Sequence, residues 1–252
     1  MVAFWVQAFL WGMVVGSGFL LGAIIVFFFH FHHKPIAAVM GFGGGVLIAV
    51  ISFELMEEAY VHGGIVLTGV GFLGGGALFS LVNWYLSKRG AKNRKRCGEC
   101  VVQPTETDVK GSGVAIAVGS LFDGIPEAII VGLSLLGGVA INWVMILGFF
   151  ISNIPQGLSS AEGMKGAGRS TTYILMVWSG IVLLSGLAAL FGYSVLGLFS
   201  PKFVAVVTAM AAGGVLSMLS ETMIPEAFEN AQHFIGLIAV AGFLAFFMLV
   251  NY

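Results

Sequence analysis

The chain has 252 residues, of which 58% are hydrophobic and 9% are charged, and its mean hydropathy is +1.02. A soluble domain of this size would carry about 25% charged residues, so the composition excludes an ordinary soluble protein and indicates that lipid surrounds much of the chain. The formal net charge of -1 argues against a nucleic acid as partner.

Eight apolar stretches are each long enough to cross a bilayer as a helix, which takes about 20 residues. We therefore predict an all-α integral membrane protein whose residues 1–252 form a single membrane domain. The first stretch lacks the basic flank and small-residue cleavage site of a signal peptide, so we expect it to remain as a span. The predicted spans are approximately 4–29, 36–60, 64–86, 112–136, 141–164, 171–196, 203–228 and 233–251.

A long connection, 87–111, is rich in basic and small polar residues, and we predict a flexible solvated loop there. Together with Lys34, Lys165 and Arg169, this loop would place ten of the eleven Lys and Arg residues on one side of the membrane. Basic residues concentrate on the cytoplasmic side. We therefore predict a multi-pass protein of the cell membrane with the basic loop inside and both termini outside.

Two small groups of metal-ligand residues lie toward the same predicted side. His30, His32 and His33 follow the first span, where they either receive an outgoing metal or form a solvated flank. Cys97 and Cys100 form a lone C-x-x-C pair in the basic loop, which leaves an incidental pair, a metal site and a redox site open.

The stretch 45–60, GVLIAVISFELMEEAY, resembles the stretch 213–228, GGVLSMLSETMIPEAF, at a constant offset of 168. Glu58 of the first copy matches Glu226 of the second, and the copies would cross the membrane in opposite senses. Such inverted repeats recur in secondary transporters, which bind substrate near the midplane; chance similarity of Gly- and Ala-rich helices is the alternative. In the second copy we expect Glu221 to be the buried acid and Glu226 to approach the cytoplasm.

Span four carries Asp123 and Glu127 one helical turn apart, with Pro126 between them. A carboxylate at bilayer depth costs roughly 2.5 to 3.5 kcal/mol on insertion scales, and two neighbouring carboxylates also repel each other. The pair therefore needs protons or a cation. Because intramembrane ionisable groups usually mark transport pathways, we expect this pair to do so.

Span five carries a matching motif in which Ser152, Asn153 and Gln156 flank Pro155. At about 1.5 Å per residue, Asp123 and Asn153 would each lie roughly 16 to 18 Å into their spans, near the middle of a core about 30 Å thick. Each proline frees the carbonyl four residues before it. Carbonyl, carboxylate and amide oxygens at one depth would suit a cation, whereas an ordinary kink with interhelical hydrogen bonds is the alternative for span five.

Three acids lie near the outer end of span two. Glu54 is the deepest and shares a helix face with Glu58, so with His62 these groups could gather cations at an entrance. Glu54 could also act as a ligand together with the oxygens of spans four and five near the middle of the membrane. Glu57 and Glu58 equally fit ordinary interfacial positions.

These motifs resemble those of the ZIP family of divalent-metal transporters, whose span-four signature is His-Asn-x-Pro-Glu-Gly and whose span-five signature ends in Pro-His-Glu or Pro-Glu-Gly. The resemblance covers nearly the whole chain, including ETMIPEAFE at the end of span seven. It implies eight spans in a 3+2+3 inverted-repeat bundle with both termini outside. It also implies transport of a divalent cation, zinc first, into the cytoplasm through a midplane site between spans four and five.

When the motifs are aligned on their prolines, Asp123 stands at the family's span-four histidine and Glu127 at its glutamate. Because the motif histidines are absent, we expect a single site instead of the family's paired metal centre. Oxygen ligands are harder than imidazole, so Mn²⁺ or Fe²⁺ competes with Zn²⁺ as the transported ion, and we expect no permanently bound cofactor. The metal ligands implied are Asp123, Glu127, Asn153, Gln156, Ser152 and Glu54.

Two other functional classes remain open at this point. The missing histidines would also fit a sensor or scaffold that binds metal on the same fold without net transport. An intramembrane enzyme is disfavoured because the predicted spans contain one Asp and no His beside it, so we expect no enzymatic activity. The expected partners are divalent metal ions and the lipid bilayer, with a homodimer as an alternative to a monomer.

Overall fold

The structure is a computed structural model that describes residues 3–28, 33–91, 112–138, 141–230 and 234–251. The regular elements within these ranges are helical, which confirms the all-α prediction for this part of the chain. The α-helices are α1 (Phe4–Phe28), α2 (His33–Val50), α3 (Met56–Leu86), α4 (Ser112–Leu133), α5 (Trp143–Gly166), α6 (Thr171–Ser194), α7 (Pro201–Met218), α8 (Ile224–Asn230) and α9 (Ile235–Asn251). Wider, π-helical turns lie at Ile51–Leu55, Ser87–Ala91 and Leu219–Met223, and 3₁₀ turns lie at Leu136–Gly138 and Leu196–Leu198.

Six of the described helical segments are long and apolar enough to cross a membrane, as expected of an integral membrane protein with several spans. A seventh apolar helix, α9, is shorter than these. The number eight stays a prediction, because two of the predicted spans run together in one segment. The six segments are Phe4–Phe28, Pro35–Arg89, Ala115–Leu133, Trp143–Gly166, Thr171–Leu198 and Pro201–Phe228.

The segment Pro35–Arg89 contains a sharp backbone break at Gly64. The segment has 55 residues, and a straight helix of that length would measure about 80 Å against a hydrocarbon core of about 30 Å. Gly64 has φ 68° and ψ 174°, a region of backbone space that is essentially restricted to glycine. The break falls between the predicted spans 36–60 and 64–86.

The π-helical turns Ile51–Leu55 and Leu219–Met223 occupy corresponding places in the chain. They begin 168 residues apart, as do the helices α2 and α7 that precede them, and this is the offset that relates 45–60 to 213–228. Each turn contains one carboxylate, Glu54 in the first and Glu221 in the second. Single-turn π-helices occur frequently at functional sites, which makes both acids candidates for a role.

The helices pack in two groups. In the first bundle, α1 packs on α5 and α6, and α4 packs on α6. In the second bundle, α3 packs on α7, and α2 packs on α8 and α9. The bundles meet mainly where α2 lies against α5 and where α4 lies against α7.

Glycines let the helices of the second bundle approach closely. A Cβ atom added at Gly45 would lie 1.9 Å from the carbonyl oxygen of Ala239, and one added at Gly213 would lie 1.9 Å from that of Phe72. Small residues at such crossings allow the backbone-to-backbone packing that drives helix association in lipid. These glycines therefore fix the spacing of α2 with α9 and of α3 with α7.

We predict that Gly64→Ala lowers the thermal stability of the detergent-solubilised protein, because alanine cannot adopt φ 68° without a strain of about 1–3 kcal/mol. Gly69→Ala is the matched control: it lies in the same helix, and neither glycine has a neighbour within 4 Å of an added Cβ. The control should be neutral or stabilising, because alanine favours helix by about 1 kcal/mol over glycine. Equal losses in the two variants would contradict this account of the break.

Candidate cation site

Asp123 and Glu127 lie in the middle of α4 on either side of Pro126. Their side chains are buried, with 2% and 0% of their surface exposed. Neither carboxylate therefore faces lipid, which is the first requirement for a cation pathway through the protein. Pro126 has no N–H, so residue 126 cannot donate to the carbonyl of Phe122 as it would in an uninterrupted helix.

The polar groups of α5 are fully buried and joined by hydrogen bonds. Gln156 Nε2 donates to the Ser152 carbonyl at 3.2 Å and to Asn153 Oδ1 at 3.3 Å. Asn153 Nδ2 donates to the carbonyl of Val15 in α1 at 3.2 Å, and Ser152 Oγ donates to the Phe149 carbonyl at 2.9 Å. The polar groups around Pro155 are thus joined to each other and to α1, and the bond to Val15 is of the interhelical kind expected for the alternative of an ordinary kink.

These hydrogen bonds leave oxygen acceptors available on α5. The partners of the two amide nitrogens, the carbonyls of Ser152 and Val15 and the oxygen of Asn153, are all acceptors, which fixes the orientation of both amides. Gln156 Oε1 is buried and accepts no hydrogen bond from the residues that the structure describes. Because each amide nitrogen already donates to an acceptor and one amide oxygen is left, the motif favours a positively charged ligand over an anion.

Helix α1 lies between the two proline motifs, which the sequence analysis placed at one depth on either side of a site between spans four and five. Helices α4 and α5 touch each other only slightly, and both pack on α1. A Cβ at Gly124 would lie 2.9 Å from Phe19 Cε2, and one at Gly157 would lie 2.0 Å from the Phe19 carbonyl oxygen. Both motifs therefore pack against Phe19 of α1. The neighbouring Gly18 has no side chain, which allows α1 to lie close to Asn153.

The chemistry of a cation bound to Asp123 and Glu127 follows from what surrounds them. Among the described residues, no three His, Cys, Asp or Glu side chains form a group that would hold a metal ion. Such a cation would need neutral oxygens or water to complete its shell. A set of two carboxylates with neutral oxygens is hard, as Mn²⁺ prefers, whereas Zn²⁺ also accepts softer ligands.

Glu54, the sixth predicted ligand, lies at a different level. Its Oε2 accepts a hydrogen bond from Asn142 Nδ2 at 2.6 Å. Asn142 is the N-cap of α5, where its Oδ1 accepts from the Met145 N–H at 3.1 Å. At about 1.5 Å per residue, this position is roughly 15 Å along α5 from Ser152, so the structure does not bring Glu54 beside the proline motif.

The acids near the end of span seven do not follow the expectation from the sequence. Glu221 is exposed and accepts hydrogen bonds from Ser80 Oγ and from Asn83 Nδ2, the latter at 2.6 Å. Glu226 is buried, with 2% of its surface exposed. The expectation rested on depth along the helix, which does not determine the face a residue occupies. The repeat of Ile-Pro-Glu at Glu127 and Glu226 is the signal that would have found the buried acid.

Several residues considered from the sequence lie outside the described part of the chain. These are His30, His32, Cys97 and Cys100, together with most of the loop 87–111, and for His33 only the backbone is described.

The apolar helices and the buried carboxylates define a multi-pass helical membrane protein with ionisable groups in its interior. No family model matches the chain. The chain is 28% identical over 234 residues to an Arabidopsis thaliana protein named "Putative zinc transporter". The similarity covers 90% of this chain but 35% of the plant protein, so the chain spans about a third of the length of that relative.

We predict that Gly157→Ala disrupts the packing of α5 on α1, because the new methyl group would overlap the Phe19 carbonyl. Overpacking of this kind costs about 1–3 kcal/mol or more, and the melting temperature of the purified protein should fall. Gly166→Ala in the same helix, where an added Cβ meets nothing within 4 Å, should leave it unchanged. An unchanged melting temperature for Gly157→Ala would show that α1 and α5 are not packed as described.

We predict that Asp123→Asn combined with Glu127→Gln removes the stabilisation of the protein by divalent cations. A cation present at a concentration 100 times its dissociation constant stabilises the folded state by about 2.7 kcal/mol. A thermal-shift titration with Mn²⁺ or Zn²⁺ detects a change of this size. Glu57→Gln, a change at an exposed carboxylate, should retain the shift. If the cation raises the melting temperature of the double variant as much as that of the wild type, the cation binds elsewhere.

Proposed function

We propose that this chain is a divergent member of the ZIP family that transports divalent metal cations into the cytoplasm. Zinc is the first candidate, and manganese and iron are the alternatives. The observation that carries the proposal is the burial of Asp123 and Glu127 within a chain of several apolar spans. The similarity to a plant protein named as a zinc transporter supports the choice of zinc.

The proposed transport site contains the carboxylates of Asp123 and Glu127 and the oxygens of Ser152, Asn153 and Gln156. The carboxylates supply the charge that compensates a divalent ion at bilayer depth. The amides of α5 supply neutral oxygens, because their N–H groups are already engaged.

The proposed architecture has eight spans in a 3+2+3 inverted repeat. The break at Gly64 supports two spans within Pro35–Arg89, and α9 would be the last span. Two features recur in both halves: a π-helical turn after α2 and after α7, and a glycine in each of these helices that contacts a carbonyl of a neighbour. Both recurrences support a common structural plan for the two halves.

The proposed mechanism is a movement of the first bundle relative to the second. The bundles meet where α2 crosses α5, at Gly43, which lies against Ser152, Pro155 and Met223. They also meet at an apolar cavity of about 240 Å³ beside Pro126, between α3, α4 and α7. Small and apolar contacts of this kind would let the bundles slide while the site inside the first bundle keeps its shape.

The proposed orientation places the basic ends of the helices in the cytoplasm of a cell whose plasma membrane holds the protein. Lys165 Nζ donates to the Val26 carbonyl at 3.3 Å, which brings the ends of α5 and α1 to the same side. Lys88 Nζ lies 3.6 Å above the ring of Trp84, and this pairing of cation and aromatic ring is typical of a membrane interface. The basic side chains near Trp84 and Val26 thus support a cytoplasmic face there.

A sensor or scaffold that binds metal without transporting it is the alternative. The absence of a group of three His, Cys, Asp or Glu side chains among the described residues favours it, because a transporter of the family would be expected to hold more charged ligands. Saturable metal binding without flux in liposomes would support this alternative.

We predict that purified protein in liposomes takes up Zn²⁺ or Mn²⁺, and that Asp123→Asn with Glu127→Gln slows uptake by at least about tenfold, because loss of partners even beyond the direct ligands weakens metal binding 10- to 100-fold. Uptake is measured with a fluorescent metal indicator inside the liposomes. Glu57→Gln should transport at the wild-type rate. Wild-type flux through the double variant would refute the proposed site.

A further inference from the structure

A polar cavity lies at the end of α4 that follows Glu127. It has a volume of about 570 Å³ and is lined by the start of α3, the end of α4, the N-cap of α5 and the segment that leads into α7. It lies at the opposite end of the bundle from Lys88, because α3 runs from one end to the other after its break at Gly64. Its polar lining residues are Glu58, His62, Ser134 and Asn142.

Glu58 and His62 are the charged and metal-binding members of this lining. They are four residues apart on one helix, so their side chains share a face and can reach the same ion. The same spacing places two ligands on one Zn²⁺ in helical metal motifs. Glu58 is half-buried and His62 is exposed, so an ion that reaches the cavity from water meets the imidazole first.

Apolar residues form the rest of the wall, including Leu133, Leu136, Phe199 and Val204. Walls of low dielectric constant focus the field of the carboxylate and raise the local concentration of counter-ions. Leu133, which lines the cavity, is about 9 Å along α4 from Glu127. The cavity therefore adjoins the end of the helix that carries the central acids.

Glu54 stands one turn deeper than Glu58 on the same face and is held by Asn142. This hydrogen bond joins the second bundle to the first, because Asn142 caps α5. The cap uses Oδ1, whereas Glu54 is bound through Nδ2. Asn142 can therefore release Glu54 and still cap the helix.

We propose that this cavity is a capture site for a divalent cation, with the Glu58 carboxylate and the His62 imidazole as ligands and water in the remaining positions. The ion then draws Glu54 away from Asn142 as a third ligand, which breaks the hydrogen bond between the bundles. Two protein ligands give weak binding and quick onward release. The inference rests on the proposed function, because it assigns the first step on the route to Asp123 and Glu127.

The first test measures zinc uptake in liposomes as a function of zinc concentration. Glu58→Gln with His62→Gln should raise KM by about tenfold or more, as expected for lost metal ligands, and uptake at saturating zinc should fall by a smaller factor. Glu57→Gln, at an exposed residue that does not line the cavity, should leave both parameters unchanged. An unaltered KM in the double variant would overturn the capture site.

The second test separates this inference from the proposed function, because it requires no transport. Purified protein carrying Asp123→Asn and Glu127→Gln is titrated with Zn²⁺ by calorimetry. One weak binding event should remain, and adding Glu58→Gln and His62→Gln should abolish it. If the first variant binds no zinc, or if binding survives the added changes, the capture site is wrong even where transport through the centre is established.

A third test examines the role of Glu54 in protein that carries Asp123→Asn and Glu127→Gln. Asn142→Ser keeps a side chain that caps α5 but is too short to hold Glu54. We expect zinc to bind more tightly to the cavity in this variant, because Glu54 is then available as a ligand. Equal or weaker binding would remove the Glu54 step from the proposal.

Discussion

The burial of two carboxylates in the middle of a helix that crosses lipid is the constraint on which the rest of this structure depends. Water cannot satisfy charged groups in the hydrocarbon core, so the compensation must come from the protein or from a bound ion. On the other side of Phe19, each amide nitrogen of the α5 motif donates to a carbonyl or amide oxygen, and Gln156 Oε1 is buried without a donor among the described residues. The proposed function assigns this compensation to a divalent cation.

Much of the fold could be predicted from hydropathy, because the apolar stretches determine which segments enter lipid. The spacing of Asp123 and Glu127 likewise predicted a shared buried face. Depth along a helix, by contrast, could not tell which of Glu221 and Glu226 is buried, since the π-helical turn before Glu226 changes the face that follows it. The contact of Asn142 with Glu54 joins residues far apart in the chain, so no local pattern reveals it.

The place of α1 is the main feature of the site that the motifs did not reveal. Phe19 lies against the glycine that follows Asp123 and against the glycine that follows Gln156, and its ring stacks on the buried indole of Trp178 at 5.7 Å. Phe19 thus separates the two proline motifs, with its ring against Gly124 and its backbone against Gly157. This arrangement makes the first bundle a unit, since α1 contacts all three of its other helices.

The π-helical turns have a consequence for the phase of the helices that follow them. Such a turn accommodates one residue more than an α-helical turn, so removing a single residue would rotate everything beyond it by about 100°. Glu58 follows one such turn and Glu226 follows the other. A one-residue deletion in either turn would therefore swing an acid to another face while leaving composition and hydropathy almost unchanged. In this chain the number of residues in each π-helical turn determines the helix face on which Glu58 or Glu226 lies. A protein of nearly the same sequence with one residue fewer in that turn would place the carboxylate on a different face.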